Sequence, residues 1–228
     1  YARSKVLIEE LSAYPNLEVV CFLSSALLRE KFGEAAKYIE RAHKNVTVVR
    51  VPVEATPHTH LGMSQLGGSI SSVFAPVLHA HALTALILVA DRHETLPAAQ
   101  AGAYLGIPVI HVQGGEITGC IDDRVRHAVT RLADYHFCST RLSREYLVQM
   151  GEEPRRIFWT GCPSIDLIRR IRVKRTYPKE RYILAVFHPE TEGADQAFEQ
   201  TKIVMEAVLA YCREHRHRCY WYYPNPDP

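Results

Sequence analysis

His111-Val-Gln-Gly-Gly-Glu-Ile-Thr-Gly-Cys-Ile-Asp-Asp-Arg-Val-Arg-His127 is the stretch on which the fold turns. The apolar run Ile107 to Val112 ends abruptly in Gln113, Gly114, Gly115 and Glu116. After a short loop, a helical pattern opens with Asp122 and Asp123 and carries Arg126 and His127 one turn later. Strand, glycine turn and acid-opened helix place polar groups at the carboxyl edge of a sheet, where open α/β folds bind ligands.

Outward from this stretch, strands and helices alternate. Apolar, β-rich runs at Leu17–Leu23, Val46–Val53, Ala85–Ala90, Tyr135–Cys138 and Arg156–Thr160 read as buried strands. Helical patterns cover Ser4–Ala13, Glu34–His43, Gly62–Ala80, Ala98–Leu105, Asp122–Ala133 and Leu142–Met150, and Ser24 or Ser25 can cap a further one. This spacing predicts α/β architecture: a doubly wound, parallel, Rossmann-like domain over residues 1–168 whose first strand is missing. A polar linker, 169–180, leads to strand Tyr182–Phe187, helix Asp195–Glu214 and strand Cys219–Tyr223, the expected start of a second such domain over 181–228.

Composition narrows the function. A formal charge of +2 over 228 residues gives no electrostatic argument for nucleic acid or a membrane surface. The longest apolar run, Ala82 to Ala90, is strand-sized, well short of the roughly 20 residues that span a bilayer. The opening Tyr-Ala-Arg-Ser-Lys does not read as a signal peptide. Six scattered cysteines form no Cys-x-x-Cys pair and suit reduced, buried thiols, so a cytoplasmic setting is expected. Twelve histidines are dispersed without ligand spacing, so neither a metal nor a cofactor is expected.

Asp91 follows an apolar strand directly, and Asp122 opens a helix where the dipole favours a carboxylate. Structural readings compete: Asp122 could be a simple N-cap, and Arg126 its i,i+4 partner on an exposed face. Together the acids form a polar rim along successive strand ends that a bland fold does not need. His188, before Pro189, occupies the matching strand end of the second unit and would face the first across a cleft. No G-x-G-x-x-G, P-loop or nucleophile-elbow pattern is present.

Six segments in order resemble the UDP-N-acetylglucosamine 2-epimerase family, especially its hydrolysing branch. They are Ala-Asp-Arg-His-Glu at 90–94, Gln-Gly-Gly-Glu at 113–116, Ile-Asp-Asp-Arg-Val-Arg-His at 121–127, Gly-Cys-Pro-Ser at 161–164, Phe-His-Pro at 187–189 and Tyr-Pro-Asn at 223–225. The resemblance implies two Rossmann-like domains of GT-B type, with a UDP-sugar in the cleft between them. It also implies a homo-oligomer, dimer or tetramer, serving sialic acid synthesis. A base would remove the sugar C2 proton as UDP leaves C1, giving 2-acetamidoglucal. Water would then add to release N-acetylmannosamine. Carried over by motif, Asp91, Asp122, Glu116 and His188 are the candidate catalytic groups. Arg92, Gln113, Gly114, Gly115, Arg126, His127, Asn225, Arg3 and Lys5 are candidate substrate-binding groups.

Two departures qualify the match. Gln113 stands where many members have a glutamate, and an amide cannot exchange a proton at neutral pH, so it can only orient or hydrogen-bond. Ala90 replaces the usual glycine before Asp-Arg. The alternatives are a non-hydrolysing epimerase, a hydrolysing epimerase of a diacetamido UDP-sugar, and a non-catalytic fragment. With the family's first turn and most of its second domain missing, negligible turnover is expected of this stretch alone.

Overall fold

The computed structural model describes residues 2–28, 35–54, 56, 59–171, 180–188 and 196–223. Two compact units divide the chain, Tyr1–Ile171 and Arg172–Pro228. The first runs α1 (Ala2–Ser12), β1 (Val20–Ser24), a 3-10 turn (Ser25–Leu28), α2 (Ala35–Ala42), β2 (Thr47–Val51), α3 (His60–Ala80), β3 (Leu86–Val89) and α4 (Thr95–Tyr104). It continues with β4 (Val109–Val112), α5 (Ile121–Leu132), β5 (Tyr135–Cys138), α6 (Arg141–Gln149), a 3-10 turn (Pro154–Arg156), β6 (Ile157–Trp159) and α7 (Pro163–Arg170). The second holds β7 (Tyr182–Val186), α8 (Ala197–His215) and β8 (Arg218–Tyr222).

Every described strand pair is parallel, as helical crossovers require. The first unit does not, however, form the single sheet expected of its strands. β1 pairs with β2, and β3-β4-β5-β6 form a separate four-stranded sheet. Helix α3 joins the two by packing rather than by a hydrogen-bond ladder. Its buried stripe, Leu66, Ile70, Phe74 and Leu78, shares a core with Val51 at the end of β2, Leu86 of β3, and Ala98 and Ala101 of α4. The four-residue spacing keeps that stripe on one face despite Gly67 and Gly68. Thr59 starts the helix by accepting from the Gly62 N–H at 3.0 Å.

Helix α4 lies close on the sheet because Gly102 has no side chain: a Cβ there would stand 2.8 Å from Leu86 Cδ2. Pro97 sits in the first turn of α4, where its missing N–H costs nothing. Helix α7, not foreseen from the sequence, is amphipathic, with Ile165 and Ile168 set against Asp166, Arg169 and Arg170, yet it buries none of its residues. Arg170 instead bonds Glu9 and Glu10 of α1.

Strand register positions the site. Val89 pairs with Val112, so Ala90 and Gln113 are equivalent positions just past the ends of adjacent strands. Both are non-glycine residues with φ of 69°. Ala90 still donates to the Val112 carbonyl at 2.9 Å, and Gln113 to the Phe137 carbonyl at 2.8 Å. Each strand therefore ends in a left-handed residue that turns the chain sharply out of the sheet.

Candidate active site

Three segments meet at the carboxyl edge of the four-stranded sheet: the turn after β3, the loop from β4 to α5, and the first turns of α5. Arg126 ties them together. Its side chain is 1% exposed, yet it carries a full charge. One terminal nitrogen donates to Asp91, and the other to Asp123 and to the Glu116 carbonyl oxygen, the latter at 2.6 Å. Burial alone would lower the guanidinium pKa, but the bonds and charges of Asp91 and Asp123 outweigh it and raise it. A buried cation between two carboxylates avoids the penalty that an unpaired ion would carry.

This corrects the reading of Arg126 as a surface partner of Asp122. Its helical partner is Asp123, three residues earlier, and its second partner is Asp91, from another strand. Nor is Asp122 the N-cap, since that position is Cys120, whose side chain makes no capping bond. Asp122 lies half-buried in the first turn of α5, where partial positive charge on the helix end favours a carboxylate.

Asp123 does the local binding instead. It accepts from the Thr118 N–H at 2.8 Å, the Thr118 hydroxyl at 2.9 Å and the Gly119 N–H at 2.7 Å. Burial would raise its pKa, but these bonds and Arg126 prevail, holding it down at about 2. Sequence reasoning passed over this residue. The signal was its N3 position: an acid there characteristically reaches back to backbone N–H groups preceding the helix.

Other candidates are placed unequally. Arg3 of α1 approaches Asp91 at 3.9 Å. Lys5 pairs within its own helix, with Glu9 at 3.9 Å. Arg92 bonds Glu94 at 3.1 Å. Glu116 is half-buried, and Gly114 and Gly115 are buried. A Cβ on Gly114 would stand 2.9 Å from His111 Nδ1, and one on Gly115 2.3 Å from the Ser143 carbonyl oxygen, so both glycines are required by space. His127 is half-buried, and its Nδ1 has no hydrogen-bond partner among the described residues. His188 is exposed, two residues beyond the end of β7 in the second unit. Asn225 lies outside the described residues.

Gln113 is 5% exposed. Its amide nitrogen lies 3.4 Å from both Ser139 Oγ and Cys162 Sγ, while its Oε1 has no partner among the described residues. Beneath it, His111 is fully buried between Thr130 and the Ala90 carbonyl oxygen. Thr130 and Ser139 were not singled out from the sequence, because each reads as an ordinary core or loop residue there, while His111 and Cys162 stood in quoted segments without a role. Among the described residues, no three His, Cys, Asp or Glu side chains are grouped to hold a metal ion. No helix among them is long and apolar enough to cross a membrane.

The arrangement offers carboxylates for proton transfer and a fixed buried cation among them. Comparison with known proteins bears on its chemistry. The model of the UDP-N-acetylglucosamine 2-epimerase family matches residues 9–227. The chain is 28% identical to the UDP-N,N'-diacetylbacillosamine 2-epimerase (hydrolyzing) of Legionella pneumophila, over 92% of this chain and 58% of that protein. It is 26% identical to polysialic acid biosynthesis protein P7 of Escherichia coli, over 94% and 57%. It is 27% identical to a UDP-N-acetylglucosamine 2-epimerase of Neisseria meningitidis, over 85% and 52%. The chain thus spans a little over half the length of these relatives. Among solved structures, a UDP-N-acetylglucosamine 2-epimerase from Rickettsia bellii superimposes with TM-score 0.70 at 13% identity, over 97% of this chain and 58% of that one. The Neisseria meningitidis enzyme bound to UDP-GlcNAc does so with TM-score 0.64 at 18% identity, over 74% and 45%.

Proposed function

From the premise that the chain belongs to the UDP-N-acetylglucosamine 2-epimerase family, we propose that its site serves a hydrolysing epimerase of a UDP-N-acetyl sugar. The observation that carries this reading is the convergence of Asp91, the Glu116 backbone carbonyl and Asp123 at the start of α5 on one buried arginine at the carboxyl edge of the sheet. A carboxylate takes the C2 proton of the sugar as the C1–O bond breaks and UDP departs, leaving 2-acetamidoglucal. Water then adds across that double bond: hydroxide to C1 and a proton to the opposite face of C2. The products are N-acetylmannosamine and UDP.

Asp122 is assigned the proton abstraction. It lies half-buried in the first turn of α5, where the helix end stabilises its charged form. Asp91, gripped by Arg126 and approached by Arg3, and Glu116 flank the reacting carbon. Gln113 orients the sugar and exchanges no proton. His188, from the second unit, supplies the proton for hydration, and Arg92, His127, Arg3 and Asn225 are assigned to substrate binding. The setting is cytoplasmic, and the working protein is a homo-oligomer.

Incubating the full-length protein with UDP-N-acetylglucosamine should release UDP and N-acetylmannosamine together. Failure to release UDP ends the proposal, whereas UDP-N-acetylmannosamine as sole product would assign the non-hydrolysing reaction. A second substrate is favoured by the Legionella relative, which acts on a diacetamido sugar by name. Parallel assays with UDP-N,N'-diacetylbacillosamine compare the two by kcat/KM.

A further inference from the structure

We propose that Asp123 is a positioning residue of this site, a clamp that fastens the Thr118–Gly119 turn to α5 and so sets Arg126 against both the Glu116 carbonyl and Asp91. The inference rests on the epimerase reading for the reaction it serves, and on geometry alone for the clamp. Both carboxylate oxygens are used as acceptors. Oδ1 takes the Thr118 N–H, the Thr118 hydroxyl and Arg126, and Oδ2 takes the Gly119 N–H at 2.7 Å. An acid at N3 that merely completed a capping box would reach back only to the N-cap N–H, that of Cys120. Asp123 bonds the preceding turn instead, whose conformation depends on a left-handed Gly119, φ 86°.

The consequence reaches the acids themselves. Arg126 is almost wholly excluded from water, so protein acceptors alone decide where its guanidinium points. One of its terminal nitrogens is divided between Asp123 and the Glu116 backbone, and the other holds Asp91. Without the Asp123 charge, only the neutral Glu116 carbonyl opposes the pull of Asp91. The guanidinium would follow it, and the Glu116 segment would lose its tie to α5. A displacement of about 1 Å in such a constellation can reduce turnover on the order of 100-fold.

Asp123→Asn tests this with little change of shape. Whichever way the amide is turned, its NH2 meets a donor, either Gly119 N–H or the Thr118 and Arg126 donors. Two readouts are taken on the full-length protein: steady-state kinetics of UDP release and amide hydrogen exchange. The expected result is a kcat about 100-fold lower with KM within a few-fold of wild type, and faster exchange confined to the Thr118 and Gly119 amides. Thr118→Val, which loses only the hydroxyl's contacts with Asp123 and Cys120, should show a smaller change of the same kind and covers the case in which Asp123→Asn does not fold. Unchanged kcat, or exchange accelerated throughout α5, overturns the positioning role. Wild type that releases no UDP, with exchange still accelerated at those two amides in Asp123→Asn, sinks the epimerase reading and upholds the clamp.

Discussion

His111 donates from Nε2 to the carbonyl oxygen of Ala90 at 3.1 Å, bracing the left-handed residue immediately before Asp91. A carbonyl can only accept, so a proton sits on Nε2, and in the neutral ring Nδ1 accepts from the Thr130 hydroxyl at 3.1 Å. Burial favours this neutral form, since a charged imidazolium would have to be held in a site closed to water.

Acid should therefore unfasten the site from beneath. Burial, assisted by the nearby charges of His136 and Arg126, pushes the His111 pKa down to about 4 despite the Ala90 hydrogen bond. In the unfolded chain the ring takes its proton near pH 6.5, so between that value and 4 the unfolded state binds more protons. Stability attributable to this residue is complete above about 6.5 and is lost as pH falls toward 4, on the order of 3 kcal/mol in all. NMR titration of the His111 ring should give a midpoint near 4, and His111→Asn should flatten the acid side of the stability profile. A midpoint at the ordinary histidine value would contradict the bonding described.

Arg126 should be the most destabilising single site at this edge to alter. Arg126→Met removes the cation and leaves two carboxylates, each 17% exposed, without their buried partner. Breaking such a pair on one side costs about 3–5 kcal/mol. Arg126→Lys should rescue little, because an ammonium cannot span Asp91, Asp123 and the Glu116 carbonyl as a planar fork does. Urea unfolding measures both, and Arg126→Met/Asp91→Asn should be less destabilised than the arginine change alone.

How far the sequence discloses this architecture depends on the residue. Strand β5 falls where the pattern puts it, at Tyr135–Cys138, because turn residues bound it on both sides. Strand β4 is shorter than its apolar run, since Ile107 and Pro108 belong to the approach from α4. The carboxyl-edge positions of Asp91 and Gln113 follow from strand direction alone. The choice between Asp122 and Asp123 does not. The two are chemically identical neighbours, three and four residues before Arg126, and helical spacing admits either as its partner. Arginine burial is equally hidden, because its cause, Asp91, stands 35 residues away. The division into two sheets has no local signal, since period-two patterns show that a strand is buried but not what lies beside it.

The three glycines of the β4–α5 loop should respond to alanine in a fixed order. Gly115→Ala is worst: its φ is 79°, and the new Cβ would stand 2.3 Å from a backbone oxygen of α6 that cannot move alone. Strain and overpacking together suggest roughly 2–5 kcal/mol. Gly114→Ala presses on His111 and Thr130 at 2.9 and 3.1 Å and should disturb the imidazole bonds more than the fold. Gly119→Ala meets nothing within 4 Å, so only its left-handed backbone is penalised, by about 1–2 kcal/mol. Thermal unfolding of the three variants checks the order, and equal effects would refute it.

Asp122→Asn should separate chemistry from stability. The residue sits in the first turn of α5, where losing a carboxylate forfeits only about 0.3–1 kcal/mol of interaction with the helix end. As the proposed base of the first step, however, its loss should lower UDP release by about 100- to 10,000-fold. The second step offers an internal control, because 2-acetamidoglucal supplied directly bypasses C2 deprotonation. Asp122→Asn should still hydrate it at a rate near that of wild type, while His188→Asn should fail in hydration. If Asp122→Asn instead releases UDP normally, the base is Asp91 or Glu116, and the same pair of assays on Asp91→Asn and Glu116→Gln identifies which. Asp123→Asn differs from all of these, since a displaced guanidinium impairs both steps together.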